Sequence, residues 1–120
     1  MARILLAEDD TSMREFLARA LERSGHDVVA VPDGLAALHE VHERPFELLI
    51  ADIVMPGMDG IELSHQANRV NADLKVLFIT GFAAVAMNAR VEMGETKVLS
   101  KPFHLRELVD NVDRILSVGP

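Results

Sequence analysis

The chain has 120 residues, of which 49% are hydrophobic and 26% are charged, and its formal net charge at pH 7 is −7. This size and composition are typical of one globular domain, so we expect residues 1–120 to form a single domain. The chain contains no cysteine, which excludes thiol catalysis, disulfides and zinc–thiolate sites and fits a cytoplasmic location. The acidic charge argues against a nucleic-acid partner, and the apolar runs are too short for a membrane span. Arg3 leads directly into the first of these runs, so we expect no signal peptide.

The first half of the chain alternates short apolar runs with amphipathic segments. Thr11 or Ser12 is expected to cap the first helix, because Ser12 and Glu15 have the spacing of a capping box, and Gly25 is expected to end it. Asp33 is expected to cap the second helix. The predicted elements of this half are a strand at 3–7, a helix to about residue 23, a strand at 27–31, a helix to about residue 43 and a strand at 47–51.

The second half continues the same alternation. It predicts a helix over about 61–71, a strand at 75–79, a helix over about 84–93, a strand at 97–99 and a helix over 104–117. Most of the strands are nearly continuous in apolar residues, as strands buried on both faces of a parallel sheet are. Alternation repeated five times predicts a doubly wound α/β fold with five strands and five helices.

Polar residues follow four of the predicted strands at the point where each strand ends. The carboxyl ends of parallel strands open onto one edge of the sheet, where α/β proteins bind their ligands. We therefore expect these side chains to converge. They are Glu8, Asp9 and Asp10 after the first strand, Asp52 after the third, Thr80 after the fourth, and Ser100 and Lys101 after the fifth.

Such a cluster suits one kind of chemistry. The carboxylates of Glu8, Asp9 and Asp52, at close range, would raise one another's pKa, and a hard divalent cation would relieve that repulsion. Mg²⁺ prefers a few carboxylates together with water and phosphate oxygens, so the sequence predicts a Mg²⁺ site. With Mg²⁺ and Lys101 in place, Asp52 could act as a nucleophile and accept a phosphoryl group, which Lys101 and Thr80 would contact.

Four motifs carry a resemblance to a known family. The sequence resembles the CheY-like receiver domains of two-component signalling over essentially the whole chain. This resemblance implies a flavodoxin-like sheet of strand order 2-1-3-4-5 and a phosphorylation switch rather than an enzyme with turnover. The motifs are ILLAEDD from Ile4 to Asp10, DIVMPGMDG from Asp52 to Gly60, ITG from Ile79 to Gly81, and SKPF from Ser100 to Phe103.

The resemblance also implies the roles of individual residues. Arg14 resembles the basic residue early in the family's first helix, and this register makes Glu8 and Asp9 the acidic pair and Asp10 a loop or cap residue. Asp52 is then the phosphoacceptor, and the Lys101–Pro102 peptide bond is expected to be cis. The implied Mg²⁺ ligands are Asp9 and Asp52 directly, Glu8 through water, and the backbone carbonyl of Val54.

Two other functions remain open at this point. A phosphatase of the haloacid-dehalogenase type also uses an Asp nucleophile with Mg²⁺, but it carries a second Asp two residues later, where this chain has Val54. A degenerate receiver that binds partners without phosphorylation is the other alternative, and the presence of Asp52, Thr80 and Lys101 argues against it.

The resemblance implies protein partners on both sides of the switch. A histidine kinase or a histidine phosphotransferase would supply the phosphoryl group. The stretches 79–86 and 98–106 resemble single-domain regulators of the CpdR type, which control substrate delivery to the ClpXP protease; a motor regulator or a phosphorelay shuttle is the alternative. An output protein such as ClpX is expected to bind the face formed by the predicted fourth helix, the fifth strand and the fifth helix, near Phe82 and Val98.

Two further expectations concern single residues. Val54 and Phe82 stand where rapidly dephosphorylating family members often carry polar groups, so we expect slow self-hydrolysis and at most weak autophosphatase activity. The five histidines are scattered along the sequence, and we expect them to be surface residues rather than metal ligands.

Overall fold

The computed structural model describes residues 2–81 and 97–117. Within them lie five strands and four helices. The strands are β1 (Arg3–Ala7), β2 (Asp27–Val31), β3 (Leu48–Asp52), β4 (Lys75–Thr80) and β5 (Lys97–Ser100), and the helices are α1 (Thr11–Arg23), α2 (Gly34–Glu43), α3 (Gly60–Val70) and α4 (Leu105–Ser117). The helix predicted over about 84–93 lies outside the described residues, so α4 is the predicted fifth helix.

The strands form one parallel sheet of order β2-β1-β3-β4-β5, which confirms the predicted order and the edge position of β2. In the register of the sheet Ala7 pairs with Ala51, and Asp52 pairs with Ile79. The carboxyl ends of β1, β3 and β4 therefore finish at the same edge. This register brings residues from distant parts of the chain to one site.

The core consists of two apolar layers, one on each face of the sheet. Side chains that alternate along a strand point to opposite faces. Leu49 and Ala51 of β3 join the layer that contains residues of α2 and α3, whereas Leu48 and Ile50 join the layer that contains residues of α1 and α4. All five residues of β3 are buried, so its continuous apolar pattern reflects its central position.

The helix caps differ in part from the prediction. Asp10, rather than Thr11 or Ser12, is the N-cap of α1, and its Oδ1 accepts a hydrogen bond of 2.7 Å from the Met13 amide. The predicted capping box is wrong because an aspartate one residue earlier supplies the acceptor. Asp33 caps α2 as predicted.

The boundaries of α3 and of three strands also shift slightly. Asp59 caps α3, which begins at Gly60, one residue before the prediction. β4 and β5 each extend one residue further than predicted, and β3 begins and ends one residue later than predicted, so Asp52 and Thr80 are the last residues of their strands. In the part of the chain that the structure describes, no helix is long and apolar enough to cross a membrane.

Candidate functional site

Three acidic side chains meet at the carboxyl edge of the sheet. Glu8 and Asp9 follow β1, and Asp52 ends β3, the strand next to it. One carboxylate oxygen from each of these residues lies within 4.8 Å of the others. Glu8 and Asp52 are buried, whereas Asp9 is exposed, so the cluster is open to solvent on one side.

Lys101 joins the two buried carboxylates. Its Nζ lies 3.0 Å from Glu8 Oε1 and 3.0 Å from Asp52 Oδ2. The side chains of Glu8 and Asp52 are only 1% and 9% exposed, and buried carboxylates that lacked such a partner would be costly. The ammonium offsets part of the negative charge of the cluster and ties the end of β5 to those of β1 and β3.

The electrostatics of the site show in two pKa values. Burial, together with the charge of Asp52, raises the pKa of Glu8 from 4.5 to about 7, although hydrogen bonds from the Asp10 amide and Lys101 oppose this rise. Burial lowers the pKa of Lys101, but its hydrogen bonds to Asp52 and Glu8 and the negative charges of these two residues together outweigh burial and raise that pKa above its ordinary value of 10.5. Lys101 therefore stays protonated at neutral pH, and the carboxyl group of Glu8 has a pKa close to neutral pH.

Backbone contacts fix the position of Asp52. Its Oδ1 accepts a 3.1 Å hydrogen bond from the Val54 amide, which leaves Oδ2 to Lys101. Gly60 approaches so closely that a Cβ atom at this position would lie 2.4 Å from the Asp52 carbonyl oxygen. Gly57 adopts a φ of 79°, which favours glycine, and this turn returns the chain from Asp52 to the start of α3.

The ends of β4 and β5 form the other side of the site. Thr80 is fully buried, pairs with Ser100 in the sheet, and accepts a 2.7 Å hydrogen bond at its carbonyl oxygen from the Lys101 amide. The Lys101–Pro102 peptide bond is cis, as expected. Thr80 and Lys101 are thus linked directly through the backbone.

Arg14 contributes a contact that the sequence did not predict. Its Nη1 donates a 2.9 Å hydrogen bond to the backbone carbonyl of Glu8. In the sequence, Arg14 served only to set the register of the acidic pair. The signal available there was its position on the first turn of α1, five residues after Asp9, from which a long side chain can reach back to the end of β1.

The donor set fits a hard divalent cation. Three carboxylates supply oxygen ligands of the type that Mg²⁺ prefers, and the exposed Asp9 leaves room for water and phosphate oxygens. Glu8, Asp9 and Asp52 would hold the ion. Its positive charge would offset the acidic cluster that Lys101 neutralises only in part.

The predicted site residues mostly lie together. Glu8, Asp9, Asp52 and Lys101 form one cluster, and Thr80 ends the adjacent strand at the same edge. Val54 is 46% exposed beside Asp52. Their roles in metal binding and phosphorylation stay predictions, as does the role of Phe82, which lies outside the described residues.

Comparisons with known proteins identify the family. The response regulator receiver domain family matches residues 4–113. The receiver protein CpdR of Brucella abortus is 54% identical over 117 residues, covering 97% of this chain and 98% of that protein. The chain spans about half the length of several other curated relatives, among them transcriptional regulatory proteins.

Solved structures agree with this family. A CheY-like receiver domain protein of Methanospirillum hungatei superposes with a TM-score of 0.87 at 26% identity, covering 95% of this chain and 92% of that chain. The response regulator TrrA of Thermotoga maritima, crystallised with Mg²⁺ and BeF, gives a TM-score of 0.86 at 26% identity, covering 96% and 99% of the two chains. The chain belongs to the response regulator receiver domains of two-component signalling.

Proposed function

We propose that this receiver domain is a Mg²⁺-dependent phosphorylation switch whose phosphoacceptor is Asp52. The observation that carries the proposal is the contact of Lys101 Nζ with Glu8 and Asp52, 3.0 Å to each, beside three carboxylates within 4.8 Å of one another. The resemblance to TrrA, whose structure contains Mg²⁺ and BeF, supports it.

The chemistry follows from these residues. A carboxylate oxygen of Asp52 attacks phosphorus as the bond from phosphorus to the donor breaks. For a phosphohistidine donor, the electron pair of the broken P–N bond stays on the imidazole nitrogen, which takes up a proton. Lys101, already at Asp52 Oδ2, is placed to contact the new phosphoryl oxygens, and Mg²⁺, when bound, would neutralise part of their charge.

A histidine kinase or a histidine phosphotransferase would supply the phosphoryl group. The domain would act through changed protein contacts rather than through turnover of a substrate. Val54 lies two residues after Asp52 and has no side-chain group that could orient water, which supports slow self-hydrolysis.

The 54% identity to CpdR over nearly the full length of both chains supports a narrower proposal for the output. Regulators of the CpdR type control substrate delivery to the ClpXP protease, so we propose ClpX as the output partner. The contact face would comprise β5, α4 and the helix predicted over about 84–93, with the nearby Phe82. Binding of purified ClpX to the wild type and to Asp52→Ala would test this, and equal absence of binding would favour a motor regulator or phosphorelay shuttle.

The phosphoacceptor is tested with acetyl phosphate as a small-molecule donor. The wild type with Mg²⁺ should gain the mass of one phosphoryl group, whereas Asp52→Asn, or the wild type with a chelator, should not. Asp10→Asn is the matched control, because Asp10 is an exposed carboxylate two residues from Glu8 that caps α1, a role that asparagine can fill. Equal labelling of Asp52→Asn would rule out Asp52 as the acceptor.

A further inference from the structure

The turn that carries Glu8 and Asp9 is held by a small set of hydrogen bonds. The Glu8 amide donates to the Val31 carbonyl of β2 at 3.1 Å, and the Asp10 amide donates to Glu8 Oε2 at 3.1 Å. The Glu8 carbonyl lies one residue beyond Ala7, the last residue of β1 that pairs with β2 and β3. The Arg14 guanidinium donates to this carbonyl at 2.9 Å.

This contact acts on the peptide group between two of the three acidic residues. The carbonyl of Glu8 and the amide of Asp9 belong to one planar unit, so fixing the carbonyl oxygen fixes the direction in which Asp9 leaves the strand. Asp9 is the exposed member of the cluster, and no hydrogen bond to its side chain is found within residues 2–81 and 97–117. Its position therefore depends on its backbone.

We propose that Arg14 is a positioning residue that orients Asp9 for Mg²⁺ through the Glu8 carbonyl. The proposal rests on the proposed function, because it concerns the same Mg²⁺ site. Residues behind a metal ligand commonly change metal affinity about 10- to 100-fold when they are removed, by letting the ligand move. Arg14 would act on Asp9 in this way, because it holds the peptide group that precedes Asp9.

Charge alone would give the opposite effect. Arg14 adds a positive charge near an expected cation site, so its removal should strengthen Mg²⁺ binding if repulsion were its main influence. No carboxylate of the described residues forms an ion pair with Arg14, so the guanidinium does not neutralise Asp9 through a direct contact. The direction of the affinity change therefore separates positioning from repulsion.

The test measures Mg²⁺ binding itself, without phosphorylation. Isothermal titration calorimetry suits this chain, which has no tryptophan and no tyrosine for intrinsic fluorescence. Arg14→Met is expected to weaken Mg²⁺ binding about tenfold. Arg14→Lys keeps the charge and one donor group, and its loss should be smaller. Arg19→Met is the matched control, because Arg19 is an exposed arginine on the same helix. The Mg²⁺ affinity of this variant should equal that of the wild type.

The salt dependence of Mg²⁺ binding separates a positioning effect of Arg14 from an effect of its charge. A positioning effect should persist at high salt, whereas a charge effect should fade. Unchanged or tighter Mg²⁺ binding by Arg14→Met would overturn the inference, and if that variant does not fold, unchanged binding by Arg14→Ala, which also lacks the donor group, would do so. Absence of Mg²⁺ binding in the wild type would overturn the proposed function as well, so the two failures are distinguishable.

Discussion

Glu8 makes the stability of the domain depend on pH. Its pKa is raised from 4.5 to about 7 in the folded protein, mainly by burial. Between these values the folded protein binds more protons than the unfolded chain, so the free energy of unfolding should fall as pH rises from 4.5 to 7. Urea unfolding without divalent cations, followed across this range, measures the effect.

Variants locate the source of this slope. Glu8→Gln should flatten it, because the amide has no proton to lose, whereas Glu22→Gln on the surface of α1 should leave it unchanged. A slope that persists unaltered in Glu8→Gln would show that another group is responsible.

Gly60 offers a test of how tightly Asp52 is held. A Cβ atom there would lie 2.4 Å from the Asp52 carbonyl oxygen, a backbone atom that cannot move without shifting the end of β3. Gly60→Ala should therefore lower the free energy of unfolding by about 1–3 kcal/mol, as overpacked sites do, and slow phosphorylation by acetyl phosphate. Gly81→Ala is the control, since a Cβ atom at Gly81 meets nothing within 4 Å. Equal free energies of unfolding of the two variants in urea would show that Gly60 is not tightly packed against Asp52.

At the scale of single elements, α1 depends on one cap. Asp10 Oδ1 accepts the Met13 amide at 2.7 Å. Asp10→Ala should cost about 1 kcal/mol of stability, and Asp10→Asn should cost little, because asparagine caps as well as aspartate. Thermal unfolding measures the difference. If Ser12→Ala proved more damaging than Asp10→Ala, the predicted capping box would be right after all.

The centres of the elements could be predicted from the sequence, whereas their exact ends could not. Apolar runs predicted the centres of all five strands, most strongly for β3, whose burial on both faces leaves a continuous pattern, and less strongly for the edge strand β2, where only Val31 is buried. Strand ends were missed by one residue at Asp52, Thr80 and Ser100, since polar residues that still pair in the sheet do not look like strand residues. Three possible caps, Asp10, Thr11 and Ser12, lie side by side at the start of α1, and only the structure shows that Asp10 is the cap.

The candidate site was predictable for a different reason. Its residues follow separate strands, and topology alone brings such positions to one edge. Contacts that depend on side-chain reach were not predictable, as with Arg14 and the Glu8 carbonyl. His26 shows the same limit: it was expected at the surface but is largely buried, and its Nδ1 accepts the Ala2 amide at 3.2 Å.

At the scale of the whole molecule, Mg²⁺ should stabilise the fold. An ion that binds the folded chain at three carboxylates from two strands has no such site in the unfolded chain. At a concentration of 100 times its Kd, Mg²⁺ should raise the free energy of unfolding by about 2.7 kcal/mol. Thermal unfolding with Mg²⁺, compared with sodium salt at equal ionic strength, measures this. Asp9→Asn should lose most of the increase, and an unreduced increase in that variant would exclude Asp9 as a ligand.

The complete burial of β3 has a consequence for how a charge change at Asp52 can spread. Backbone amides of a strand paired on both sides and covered on both faces exchange with solvent only when most of the molecule opens. Asp52 is the last residue of this strand, so it is anchored to the part of the domain expected to exchange most slowly in deuterated water. We therefore expect β3 to stay in place when the charge of Asp52 changes. Thr80 ends β4, the strand next to β3, and Lys101 contacts Asp52 directly, so we expect the response to pass through these two residues. Deuterium uptake should change at Thr80 and Lys101 while the amides of Leu49 and Ile50 remain protected.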